Sequence, residues 1–212
     1  MLDHTSQIKV SVIYYSATGH VAEIARELAA SAEAAGAQVR LRKVAELTSP
    51  SRSTPERGAA MRGHPDIPVA TPSDVIWADA VLMGSPTRFG SVSAQLKHFI
   101  DSLGGAWYQG QLADKVYSAF TSSGTMHGGT EATLLTLTNA FHHFGGVVVA
   151  PGYTHPDKFG DGSPYGTAHC DGGGRLPVDD TTRTAARIQA ERVVRFAGAI
   201  RAAVEAPSER VA

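Results

Sequence analysis

Short apolar runs alternate along this chain with stretches of helical periodicity, and that alternation constrains the fold more than any other feature. Lys9-Val10-Ser11-Val12-Ile13-Tyr14-Tyr15 is β-branched and aromatic, as a strand buried on both faces should be. Val21, Ile24, Ala25, Leu28 and Ala29 then recur at helical spacing, which gathers them on one face. Gly36 stops that helix, and a second strand spans Ala37 to Lys43. The pattern repeats as strand Asp79 to Gly84, helix Ser93 to Leu103, strand Lys115 to Thr121, helix Gly129 to Phe144, strand Val147 to Ala150 and a closing helix from about Asp180 to Ala203. Strands alternating with helices predict an α/β protein with a parallel sheet and helices on both faces. Five strands suit the doubly wound, flavodoxin-like order 2-1-3-4-5.

One such domain accounts for residues 1–212 if two long inserts absorb the excess, at about 48–74 and 152–177. The first carries Pro50, Pro55, Pro65, Pro68 and Pro72 and reads as a surface loop with one short helix around Arg57 to Arg62. The second is rich in glycine and proline and reads as irregular. Loops of this length inside a compact domain are usually functional or assembly devices, and the aromatics Tyr153, Phe159 and Tyr165 point to subunit interfaces. With 42% apolar and 18% charged residues the chain can bury a core. A net charge of -1 gives no bulk electrostatic reason to bind nucleic acid or an anionic membrane. No apolar run is long enough to span a bilayer, and the N-terminus lacks the pattern of a secretory signal. The single Cys170 forms no internal disulfide, so the reducing cytoplasm is the expected compartment. No H-E-x-x-H or H-x-x-E-H spacing occurs, and no metal site is expected.

In a doubly wound sheet, ligands bind beyond the carboxyl ends of the strands, where the strand order reverses. Three turns fall there. Ser16-Ala17-Thr18-Gly19-His20-Val21 places hydroxyls and a glycine directly ahead of a helix. Free N–H groups and the helix dipole make such a turn an anion site, with phosphate the natural guest. The same residues equally suit an ordinary N-cap. Gly84-Ser85-Pro86-Thr87-Arg88-Phe89-Gly90 sets an aromatic beside a cation, a pair suited to a planar ligand with polar edges or to a solvated arginine and a locally packed ring. Thr121-Ser122-Ser123-Gly124-Thr125-Met126-His127-Gly128-Gly129 is again small, hydroxylated and followed by a helix. Neither G-x-G-x-x-G nor G-x-x-x-x-G-K-[ST] occurs.

Together with Gly104-Gly105-x-Trp107, His142-His143 ahead of Gly145, Pro151-Gly152-Tyr153 and Pro164-Tyr165-Gly166, these turns resemble the WrbA-type NAD(P)H:quinone oxidoreductases, from about residue 9 to 200. The resemblance implies a flavodoxin-like subunit that holds FMN without a covalent bond, reduces quinones by two electrons with NADH or NADPH, and assembles as a homotetramer. Carried over by position, Ser16, Ala17, Thr18, Gly19, His20 and Val21 would hold the FMN phosphate. Pro86, Thr87, Arg88 and Phe89 would line the flavin ring, and Ser122, Ser123, Gly124, Thr125, Met126 and His127 would flank its other side. Trp107 and Thr18 match positions bordering the quinone and nicotinamide, and His143 matches the histidine near the pyrimidine end of the flavin. Members commonly place an aromatic where this chain has Thr18, and the third turn is one residue longer here. Phe144 stands where members have a second histidine, so the flavin contact falls to His143 or Phe144.

The resemblance also implies a mechanism: hydride passes from nicotinamide to flavin N5 and on to the quinone in ping-pong order. Arg88 and His143 are then the candidate catalytic residues, stabilising negative charge at the flavin N1–C2 edge. His155 and His169, in the second insert, are expected to border a neighbour's pocket. Cys170 reads as incidental. The alternatives are a one-electron flavodoxin-type carrier, an FMN protein with a regulatory or partner-binding role, and a flavoenzyme whose acceptor is a nitro or azo compound.

Overall fold

The structure, a computed structural model, describes residues 7–47 and 66–206. The elements run β1 Lys9–Tyr14, α1 His20–Ala34, β2 Gln38–Lys43, α2 Pro72–Trp77, β3 Ala80–Pro86, α3 Ala94–Ser102, α4 Gly104–Tyr108, β4 Val116–Ser123, α5 Thr130–His143, β5 Val147–Val148, α6 Lys158–Asp161, β6 Thr167–Cys170 and α7 Asp180–Glu205. All strand pairs are parallel, and the order is β2-β1-β3-β4-β5 as expected, with β6 also on β4. β3 and β4 are buried along their whole length, as central strands covered on both faces must be. One apolar layer packs α1 and α7 against Val10, Val12, Leu82, Val116 and Phe120. The other packs α2 to α5 against Ile13, Val81, Met83, Tyr117 and Ala119.

The sheet has six strands rather than five. β5 pairs only Val147 and Val148 with Val116 and Tyr117, at the start of β4. β6 pairs Thr167–Cys170 with Phe120–Ser123, at its end. The second insert therefore contains a strand as well as the short α6. β6 is fixed from α7 by Gln189, whose Nε2 donates to Ser118 Oγ (2.7 Å) and Ala119 O (2.8 Å). Its Oε1 accepts from Thr167 N (2.8 Å) and Thr167 Oγ1 (2.6 Å). A fully buried amide satisfied at both ends gives a unique alignment of strand and helix.

The first insert also holds a helix: α2 opens at Pro72, and Thr71 N donates to Asp74 Oδ2 at 3.0 Å. The short helix expected around Arg57 to Arg62 lies outside the described residues. Among the described residues, no helix is long and apolar enough to cross a membrane. No group of three or more His, Cys, Asp or Glu among them could hold a metal.

Candidate functional site

The three turns meet at the carboxyl edge of the sheet. Tyr15 N donates to Gly84 O (3.0 Å), joining the first two, and Thr87 N donates to Ser122 O (2.9 Å), joining the second and third. Thr87 Oγ1 donates to Gly128 O (3.0 Å) and receives Thr133 Oγ1 at 2.9 Å. A Cβ on Gly129 would lie 2.8 Å from Gly90 Cα, so the second and third turns touch backbone to backbone.

Within the first turn, Gly19 N donates to Ser16 Oγ (3.1 Å). Gly19 is the N-cap of α1 at φ 105°, and among the described residues no side chain caps that helix. Gly129 opens α5 in the same way, at φ 87° with no side-chain cap. An open helix start presents unpaired N–H groups and the positive end of the dipole, which fits a phosphate. Ala17 and Val21 are buried in the core, so their side chains pack and only their backbones border the mouth.

The second turn is a two-residue hairpin. Arg88 N donates to Ser91 O (2.8 Å), and Ser91 N donates to Arg88 O (3.0 Å). Phe89 and Gly90 between them have φ 53° and 76°. Positive φ at both central positions is the I′ geometry that favours Asn-Gly. A bulky phenylalanine there is under strain, and its ring is fully exposed. Strain that presents an exposed aromatic at a cleft is a mark of a functional site. Arg88 Nη1 donates back to Thr87 O (3.0 Å) beside it.

Ser122 and Ser123 are buried at the end of β4, with Ser123 Oγ donating to Thr125 O (2.7 Å). Gly124, Thr125, Met126 and His127 form the exposed rim.

A fourth turn joins these three. Asp171-Gly172-Gly173-Gly174 follows β6, and Asp171 Oδ1 accepts from Gly173 N and Gly174 N, both at 2.9 Å. Asp171 Oδ2 lies 3.4 Å from His20 Nδ1, which is also 3.1 Å from Thr18 Oγ1. His169 is only 4% exposed and stacks on His20 of its own chain, ring centroids 5.7 Å apart. It is a wall of the mouth in its own subunit. Burial works against the Asp179 carboxylate, yet hydrogen bonds from the Thr182 amide and hydroxyl, with His169 nearby, hold it below the usual carboxylate range.

Trp107 and His143 come together, but elsewhere. Trp107 Nε1 donates to His143 O (2.8 Å). Both border a cavity of about 420 Å³ between α3, α4 and α5, with Ile100, Leu103, Ala140 and Phe144. α5 starts at the mouth and His143 ends it 13 residues later, about 20 Å along the helix axis. The resemblance set Trp107 at the quinone and His143 at the flavin; within one subunit both lie a helix length from the mouth.

The fold is that of the flavodoxin-like α/β proteins. A WrbA-like flavodoxin from Agrobacterium tumefaciens superposes with a TM-score of 0.64 at 23% identity, covering 91% of this chain and 99% of that one. An archaeal flavodoxin gives a TM-score of 0.60 at 14% identity, covering 90% of this chain and 99% of that one. The family model for NADPH-dependent FMN reductase matches residues 8–160, and the chain belongs to that family. It is 41% identical over 194 residues to a Deinococcus radiodurans protein named NAD(P)H dehydrogenase (quinone), covering 90% of this chain and 96% of that protein. A Sinorhizobium fredii protein of the same name is 40% identical over 195 residues, with 89% and 96% covered.

Proposed function

We propose that the protein is an FMN-dependent NAD(P)H:quinone oxidoreductase of the cytoplasm. The observation that carries this is the carboxyl-edge mouth, where two uncapped helix starts flank an exposed, strained Phe89. That mouth offers what a flavin mononucleotide needs: N–H donors for the phosphate, and close-lying backbone beside an aromatic for a planar ring. The backbone of residues 16–21 would hold the phosphate. Pro86, Thr87, Arg88 and Phe89 would hold one side of the ring, and Ser122 to His127 the other. When bound, FMN would supply two-electron chemistry between NADH or NADPH and a quinone, in ping-pong order.

The chain's own residues supply position and charge. Arg88, tied to the Thr87 carbonyl, brings a fixed positive charge to the rim, where it stabilises negative charge on a reduced ring. Phe89 excludes water from one side and offers an apolar wall to a planar substrate. Thr18 borders the space for the nicotinamide. His143 and Trp107, about 20 Å away along α5, reach a flavin only from a second copy of the chain. We therefore place them at a subunit interface of a homotetramer, where His143, or Phe144 beside it, meets the neighbour's flavin and Trp107 borders its quinone. The exposed, stacked Tyr153 and Phe159 (centroids 4.8 Å apart) suit the same assembly.

The test is to load the purified protein with FMN, desalt it, and add NADH anaerobically with and without benzoquinone. The yellow absorbance should persist after desalting, bleach in one two-electron step and return with quinone. Bleaching that halts after one electron, or no response to NADH, favours the carrier reading. Light scattering on the loaded protein should give a tetramer. A fully active monomer would remove Trp107 and His143 from the reaction.

A further inference from the structure

Thr133 lies one turn into α5, outside the mouth turns, and is fully buried. A threonine in a helix commonly bonds the carbonyl four residues back. Thr136 does so to Ala132 O (2.8 Å) and Thr138 to Leu134 O (3.0 Å) on this same helix. Thr133 Oγ1 has its own such carbonyl, Gly129 O, at 2.9 Å, and that carbonyl also accepts Thr133 N at 3.0 Å. Of the three hydroxyls, this one also reaches across to the second turn. It donates to Thr87 Oγ1 (2.9 Å) and lies 3.4 Å from Ser91 O. Thr87 gives its own proton to Gly128 O (3.0 Å), so toward Thr133 it accepts.

Thr87 leads into the hairpin of the second turn and Ser91 closes it. Between them Phe89 and Gly90 hold φ 53° and 76°. The paired bonds between Arg88 and Ser91 fix the shape of the hairpin, but not its place against the rest of the mouth. A left-handed phenylalanine is strained, and such a conformation persists only where its surroundings over-determine it. From β4 the restraint is Thr87 N on Ser122 O. From α5 it is the close approach of Gly129 to Gly90, together with the Thr133–Thr87 bond. The glycine contact limits how near the two turns come. The buried hydroxyl pair has direction, and its loss leaves a polar group without its partner.

We propose that Thr133 is a positioning residue for the flavin ring: its hydroxyl pins the strained hairpin to the start of α5 and so holds Arg88 and Phe89 at the mouth. The proposal rests on the FMN reading and names what keeps one side of that site in place. Thr133 acts through Thr87 and the hairpin, not by touching the ligand. In that reading the hairpin faces the ring, so Thr133 governs the part of the ligand that FMN and riboflavin share.

The experiment titrates apo-protein with FMN and with riboflavin, by quenching of flavin fluorescence, for wild type, Thr133→Val, Thr133→Ser and Thr138→Val. Valine keeps the branched shape and removes the donor. Thr133→Val should weaken both flavins by one common factor, about five- to ten-fold, as expected for one lost hydrogen bond. Thr133→Ser should bind both within about two-fold of wild type, and so should Thr138→Val. Phe89→Asn supplies the Asn-Gly pair that this turn favours, and such a hairpin needs no restraint. In that background Thr133→Val should change FMN affinity by less than about two-fold. A readout without flavin is cleavage by chymotrypsin after Phe89, which should be faster in Thr133→Val than in wild type or Thr138→Val, because an unpinned hairpin opens more often. Thr133→Ala replaces Thr133→Val if the valine variant does not fold. An undiminished factor in the Phe89→Asn background, no rescue by serine, a loss confined to FMN, or unchanged cleavage after Phe89 overturns the proposal while leaving the FMN reading standing. Wild type that binds neither flavin overturns both.

Discussion

All four of the longer helices, α1, α3, α5 and α7, begin at the carboxyl edge of the sheet, yet they begin in two different ways. α3 is closed by Ser93, whose Oγ accepts from Leu96 N, and α7 by Asp179, whose Oδ1 accepts from Thr182 N. α1 and α5 start from left-handed glycines with no side-chain cap. A cap is worth about 1 kcal/mol, so two of the four ends forgo a stabilisation that the other two take. The open ends belong to the first and third turns, on either side of Phe89. The difference supports the proposed ligand site more sharply than the glycine content of the turns does, because glycine also serves turns that bind nothing.

The comparison can be broken most forcefully at Gly129. Alanine there must adopt φ 87° and press its Cβ to 2.8 Å from Gly90 Cα. Gly129→Ala should cost about 2–4 kcal/mol from the left-handed strain and the clash together, read by urea denaturation, and should weaken FMN binding more than ten-fold. Gly19→Ala meets nothing within 4 Å but must hold φ 105°, at about 1–2 kcal/mol. Its FMN affinity should fall by a larger factor than its stability, since the proposed site would bring the phosphate to this Cβ. At a closed end the pattern should invert. Ser93→Ala should lose about 1 kcal/mol of stability with FMN affinity unchanged within two-fold; a large loss of flavin there would undo the distinction between open and closed ends.

The smallest effect concerns α2. Burial pushes the Asp74 carboxyl up, but hydrogen bonds from the Thr71 amide and hydroxyl and the Arg42 guanidinium outweigh it and hold the group below its ordinary value. A depressed carboxylate adds stability above its unfolded pKa of about 3.9 and loses it as pH falls through the folded value. Wild type should therefore lose more stability between pH 5 and pH 3 than Asp74→Asn does, by thermal melts at each pH, with flavin affinity unmoved above pH 5.

The strand–helix alternation and the three mouth turns were legible because long periodic segments and glycine-rich turns carry strong local signals. The sheet order followed from them. β6 was not legible: Thr167-Ala168-His169-Cys170 is only four residues, its alternation buries the polar Thr167 and His169, it lies between a glycine and an Asp-Gly-Gly-Gly run, and it is held by Gln189 from a distant helix. With β6 went His169, Asp171 and the fourth turn. α2 did leave a trace, since Thr71-Pro72-Ser73-Asp74 has the cap, the N1 proline and the N3 acid of a helix start. The distance of His143 from the mouth of its own subunit was also not legible. A residue that closes the helix after a mouth turn must lie a helix length from that mouth, and motif matching carries no such distance.

β5 leaves β4 at Tyr117 and β6 rejoins it at Phe120, three residues on, which is about 10 Å along the strand. The 18 residues 149–166 between them thus enter and leave at nearly one place. Sheet position five is occupied once, by a strand cut in two with a pendant spliced into the cut. A pendant attached at a single place can be lengthened, shortened or exchanged over evolutionary time without shifting the register of the barrier it hangs from. Lineages built on this sheet can therefore vary their outer contacts at this splice while the mouth stays fixed.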